Sequence, residues 1–98
     1  MDVLFREESL SALETDPKFS GEYSAAIVKA YRNRLNFIRQ AQDERDLYAW
    51  RSLRFEKLQG DRNHQYSMRL NDQWRLIVEF EGQSPNKKIA IVGIEDYH

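Results

Sequence analysis

There is no cysteine in this 98-residue chain. Disulfide frameworks and thiolate metal sites are excluded with it. Histidine is nearly absent as well, His64 and His98 being the only two, which is too few for a multi-histidine metal centre. No run approaches the roughly 18 apolar residues that a membrane span needs. Low-complexity tracts are missing, so disorder is not expected. An excess of either charge is also missing: 15 Lys and Arg against 16 Asp and Glu leave a formal net charge of −1. Composition therefore does not announce a nucleic-acid binder, and any basic site has to be local. The opening "MDVLFREESL" has early acidic residues and no long apolar stretch, unlike a signal peptide. The expectation is one soluble, cytoplasmic domain over residues 1–98, with no membrane contact, no metal and no cofactor. A chain of this length supports a single modest core.

What is present is periodic. Met1, Val3 and Phe5 alternate as in a short opening strand. "REESLSALETD" has Leu10 and Leu13 three apart and reads as a short helix, punctuated by Pro17 and Gly21. "GEYSAAIVKAYRNRLNFIRQAQ" carries an apolar stripe through Ile27, Tyr31, Leu35 and Ile38. That spacing predicts an amphipathic helix of about five to six turns. The connector "DERDLYAWRSLRFEKLQGDRNHQ" suggests one helical turn at Leu47 and Trp50, then an extended or irregular segment and a turn at Gly60. From residue 66 the period becomes two, through Tyr66–Leu70 and Trp74–Phe80. "KIAIVGIEDYH" is almost wholly apolar until its end, as expected of a strand covered on both faces. The order β-α-α-β-β-β, with helices first and antiparallel strands after, indicates an α+β fold.

The hairpin register raises a chemical question. Pairing Tyr66 with Val78, Met68 with Leu76 and Leu70 with Trp74 keeps one face apolar. It also sets Arg69 opposite Arg75 on the other face, around a loop at Asn71-Asp72-Gln73. Like charges facing each other are unfavourable by tenths of a kcal/mol up to about one. Either nearby carboxylates neutralise the pair, with Glu79, Glu95 and Asp96 available, or the pair holds an anion. Guanidinium groups suit phosphate because their paired donors match its oxygens.

The sequence ends Asp96-Tyr97-His98. Histidine titrates near neutral pH without help. Aspartate can orient it, and tyrosine can stack on a base or donate a hydrogen bond. With arginines these form a plausible metal-free phosphoryl-transfer set. A base activates a ribose 2′-hydroxyl, an acid protonates the leaving 5′-oxygen, and arginines hold the charge on phosphorus.

"LQGDRNHQYSMRLNDQWRLIVEF" with a terminal "EDYH" resembles the HigB-type host-inhibition toxins of the RelE/ParE superfamily, the toxic halves of bacterial type II toxin–antitoxin modules. The resemblance covers nearly all of the C-terminal half, and the helical N-terminal half fits in order and length. It implies a RelE/ParE-like fold, with helices packed on a curved, mainly antiparallel sheet. It implies a ribosome-dependent endoribonuclease that cuts messenger RNA without metal. It also implies a helix-turn-helix antitoxin of the HigA type, through which alone operator DNA would be met. By this resemblance Asp96, Tyr97, His98 and Arg75 are the catalytic set, and Arg69 and Arg62 bind RNA. His98 would transfer a proton, its imidazolium favoured by Asp96 and its own terminal carboxylate. One position departs from the pattern. Some members have a lysine before Gly-Asp-Arg where this chain has Gln59. Lys57, two residues earlier and so on the same side of an extended segment, is the candidate substitute.

Two other readings compete. The fold hosts non-enzymatic toxins of targets such as DNA gyrase, and fold does not fix function. An inactive relative kept for antitoxin binding is the other, and Gln59 is the feature that favours it. The long helix and the Trp50 region are the candidate antitoxin surface. Asp61 and Asn71 read as turn formers.

Overall fold

Alternation in the second half of the chain builds a five-stranded sheet in a computed structural model that describes residues 1–96. The elements are β1 (Val3–Phe5), α1 (Glu8–Thr15), α2 (Ala25–Gln40), α3 (Glu44–Ala49), β2 (Glu56–Lys57), β3 (Gln65–Arg69), β4 (Trp74–Glu81) and β5 (Lys88–Asp96). Single 3₁₀ turns occupy Arg51–Leu53 and Gly60–Arg62. The sheet order is β1-β5-β4-β3-β2. Only β1 with β5 is parallel; the other neighbours are antiparallel. The fold is α+β, as expected.

The hairpin register is the expected one. Tyr66 lies opposite Val78, Met68 opposite Leu76, and Arg69 opposite Arg75. The side chain of Asn71 closes the loop by accepting from the N–H groups of Gln73 (2.8 Å) and Trp74 (2.7 Å), the local bonding that suits Asn to turns. Along β4 and β5 the register slips: Ile77 pairs with Gly93 but Val78 with Ile91. Val92 is the extra residue of a bulge, which bends the strand and increases its twist.

Even-numbered residues of β3 and β4 face the helices. Met68, Leu76 and Val78 join Ile89 and Ile91 of β5 in a fully buried core. The helices supply Leu13, Tyr31, Leu35, Ile38 and Leu47. The Tyr31 hydroxyl donates to the Leu10 carbonyl at 2.8 Å, fastening α2 to α1. β5 is buried on both sides at its centre, since Ala90 on the opposite face is also fully covered.

Two expectations need correction. The long helix has 16 residues, about four and a half turns, rather than five to six. Ser24 delays its start because its side chain accepts the Ile27 N–H, leaving Ser24 itself extended. In the connector, the helical turn expected at Leu47 is α3, and the extended segment after it pairs as an edge strand, β2, which the predicted order lacked. Trp50 is half-buried, packed on Phe37 with ring centroids 4.4 Å apart, and the Arg34 guanidinium lies 5.5 Å over its ring.

Candidate active site

The helix-free face of the sheet carries the alternate residues: Ser67 and Arg69 from β3, Arg75 and Ile77 from β4, and Glu95 from β5. A cleft of about 180 Å³ opens here, lined by Leu58, Arg62, Ser67, Arg75, Ile77, Glu95 and Asp96. It is smaller than the roughly 300–1,000 Å³ of small-molecule sites. That size suits one group of a larger ligand rather than a whole small molecule.

Arg75 forms the floor. It is only 6% exposed. Its Nη2 donates to the Arg54 carbonyl at 2.9 Å, to Ser67 Oγ at 2.8 Å and to Glu56 Oε1 at 3.4 Å. Each acceptor has a structural origin. Arg54 adopts a left-handed conformation, φ 49°, at the end of the 3₁₀ turn, an arrangement non-glycine residues seldom take. β2 then pairs Glu56 with Ser67, so both lie on the face of Arg75.

Arg62 forms the wall. Gly60, at φ 68°, starts the 3₁₀ turn that holds it, a conformation glycine takes without penalty. Arg62 donates through Nη1 and Nη2 to the two oxygens of Glu95 at 2.9 and 2.8 Å. Its Nε donates to Gln65 Oε1 at 2.9 Å. The Gln65 amide is held in turn, donating to Glu79 Oε2 at 2.9 Å. Glu79 Oε1 accepts from Arg6 at 3.0 Å. The Gln65 hydrogen bond, with help from Arg6, holds the Glu79 carboxyl below its usual range against the opposing effect of burial. His64 is exposed, its Nε2 3.6 Å from Glu79.

Asp96 lines the cleft and accepts from Gln73 Nε2 at 3.1 Å. Tyr97 and His98 lie outside the described residues. Arg62, Arg75 and Asp96 are thus brought together, and two other predicted residues are not. Arg69 stands opposite Arg75 on the strands, but its side chain pairs with Asp72 of the hairpin loop and does not line the cleft. Its backbone carbonyl accepts from Arg34 at 2.9 Å. Burial, then the nearby charge of Arg69, lowers the pKa of Arg34. Lys57 is paired opposite Tyr66. Alternation along β2 turns it away from the face of Arg75, and neither Lys57 nor Gln59 lines the cleft.

Of the three carboxylates available to neutralise the facing arginines, Glu95 pairs with Arg62, Glu79 pairs with Arg6, and Asp96 lines the cleft beside Arg75. Glu56 pairs with Arg75, and Asp72 with Arg69. Glu56, Ser67 and Gln65 were not singled out from the sequence. Ser67 could have been found, since it shares the Arg69 face by alternation. Glu56 could not, because its position depends on where the irregular connector folds back.

Comparison with known proteins places the chain. The family model for the RelE-like toxin of type II toxin-antitoxin system HigB matches residues 4–98. No curated protein matches. Among solved structures the chain is similar to the YoeB/ParE toxin from Agrobacterium tumefaciens, with a TM-score of 0.60 and 15% identity over 100% of both chains. At that identity the likeness concerns the fold alone. The family match runs through both the helical half and the residues that build the cleft, and the protein belongs to the HigB-like toxins, RelE-like toxins of type II toxin–antitoxin systems.

Proposed function

We propose that this toxin is a ribosome-dependent endoribonuclease that cuts messenger RNA and so stops translation. The observation that carries the reading is the burial of Arg75 at the floor of a small cleft sized for one group of a larger ligand. Desolvating a guanidinium costs several kcal/mol, and a residue such as the neighbouring Ile77 would fill the same face at no such cost. Its partner Glu56 stands 3.4 Å away with a largely exposed side chain, and a charge kept buried beside so solvated a carboxylate is best explained by a further anion that needs it. A phosphodiester matches both the donor geometry and the size of the cleft.

In this reading Arg75 binds the scissile phosphate and stabilises the charge that grows on its oxygens. Arg62 adds a second guanidinium. The ribose 2′-oxygen loses its proton and bonds to phosphorus as the bond to the 5′-oxygen breaks, and the leaving oxygen takes up a proton. His98 is assigned proton transfer, Asp96 the stabilisation of its imidazolium, and Tyr97 a contact with the substrate. Arg69 and Lys57, which do not line the cleft, would bind RNA beyond it. The near-neutral net charge fits a protein whose positioning comes largely from the ribosome. Membership of a type II toxin–antitoxin family implies an antitoxin partner, and a helix-turn-helix protein of the HigA type is the one proposed.

The test uses purified protein and ribosomes carrying a defined messenger RNA. The expected result is cleavage of ribosome-bound message, slowed at least about 100-fold in Arg75→Lys and in His98→Ala, the scale of losing one transition-state contact. Intact message with the wild-type protein, or undiminished cutting by both folded variants, would refute the assignment.

A further inference from the structure

Arg62 presents its two terminal nitrogens to a carboxylate in the geometry a phosphate would take, and that carboxylate belongs to the protein. Glu95 accepts both bonds, at 2.9 and 2.8 Å, and both residues line the cleft. We propose that Glu95 is a latch: a resident anion that occupies Arg62 until an RNA phosphate displaces it. The proposal rests on the reading of the cleft as a phosphate site.

Three features support an exchange rather than a fixed brace. The first is exposure: the side chains of Arg62 and Glu95 are 44% and 46% exposed, and ion pairs so solvated are weak. The second is the separate hold on Arg62. Its Nε is fastened to Gln65 at 2.9 Å, so the two terminal nitrogens can change partners while the guanidinium stays in place. The Gln65 amide cannot turn over without cost, because its Nε2 is engaged by Glu79, itself bound by Arg6. This chain of bonds runs across the open face from the segment after β1 to the cleft. The third is charge balance. Arg62 and Arg75 face Glu95 and Asp96 in the cleft lining, and Glu56 pairs with Arg75 beside it, so the resting site offers no net attraction to an anion while Glu95 holds Arg62. A latch of this kind lowers affinity for stray RNA and leaves full affinity to a substrate delivered in position.

The latch makes a non-additive prediction. Removing Arg62 from the wild-type protein forfeits a phosphate contact but also spares the breaking of the Glu95 pair. Removing it from Glu95→Ala forfeits the contact alone. Affinity for a short single-stranded RNA, 2′-O-methylated throughout so that it cannot be cut, is measured by fluorescence anisotropy at low salt. The proteins are wild type, Glu95→Ala, Arg62→Ala, the double variant and Arg75→Ala, each checked for folding by circular dichroism. Glu95→Ala is expected to bind about fivefold tighter than wild type, the scale of one exposed ion pair. Arg62→Ala is expected to cost about fivefold more in the Glu95→Ala background than in wild type. Equal costs in both backgrounds would mean that Glu95 acts only by general repulsion, and would overturn the latch. If Arg75→Ala binds as well as wild type, or if no protein binds, the phosphate-site reading falls, and the latch with it.

Discussion

Arg75 is the residue on which the site turns, and its surroundings set what its loss should do. The guanidinium satisfies the Arg54 carbonyl and Ser67 Oγ at 2.9 and 2.8 Å. Arg75→Ala leaves both without that donor, and about 1–3 kcal/mol of stability should go with it. Urea unfolding reads this directly, and an unchanged midpoint would show that these contacts contribute nothing. Glu79 gives a second test at this scale. Its carboxyl is held below the ordinary value of 4.5 in the folded state, first by Gln65 and then by Arg6. A depressed folded pKa means stabilisation that is complete above the unfolded value and is lost as the pH falls through the folded one. The stability advantage of wild type over Glu79→Gln should therefore be widest near neutrality and shrink on acidification below about pH 4.5. Thermal melts between pH 7 and 3 measure it, and a constant difference would contradict the attribution.

At the scale of elements, how each was read follows from how local its cause is. The hairpin register was legible because period-two alternation admits only one face for Tyr66, Met68, Leu76 and Val78. The facing arginines came with it. Their partners did not, because Asp72 and Glu56 belong to a loop and to an edge strand whose folding back is a tertiary event. The helix stripe was legible as well, but not where it started, since Tyr23 lies four residues before Ile27, at stripe spacing, while the Ser24 cap places it outside the helix. The 3₁₀ turn that aims Arg62 depends on Gly60 at φ 68°, where an added Cβ would meet nothing within 4 Å. Gly60→Ala should therefore cost only backbone strain, about 1–2 kcal/mol, seen as a lower melting temperature. A neutral effect would mean that the turn relaxes. The α1–α2 contact has its own signature. Burial raises the Tyr31 hydroxyl well above its ordinary value of 10.0, so the folded state keeps a proton that the unfolded chain gives up. Stability should fall as the pH rises past about 10, and fall less steeply in Tyr31→Phe, as followed by circular dichroism. Equal slopes would separate the alkaline loss from Tyr31.

For the whole molecule, an even balance of charge is compatible with work on RNA when two arginines, Arg62 and Arg75, share one cleft. Helices cover one face of the sheet, and the other is left to Arg62, Arg75 and the chain's final described residue, Asp96. The central claim is that this face cuts messenger RNA on the ribosome. The most direct measurement is to induce the protein in bacteria and map messenger RNA 5′ ends across the transcriptome, beside Arg75→Lys and His98→Ala. The account predicts growth arrest with new 5′ ends in phase with translated codons, both absent from the variants. Growth arrest with no new ends, or ends that persist in both folded variants, would contradict it.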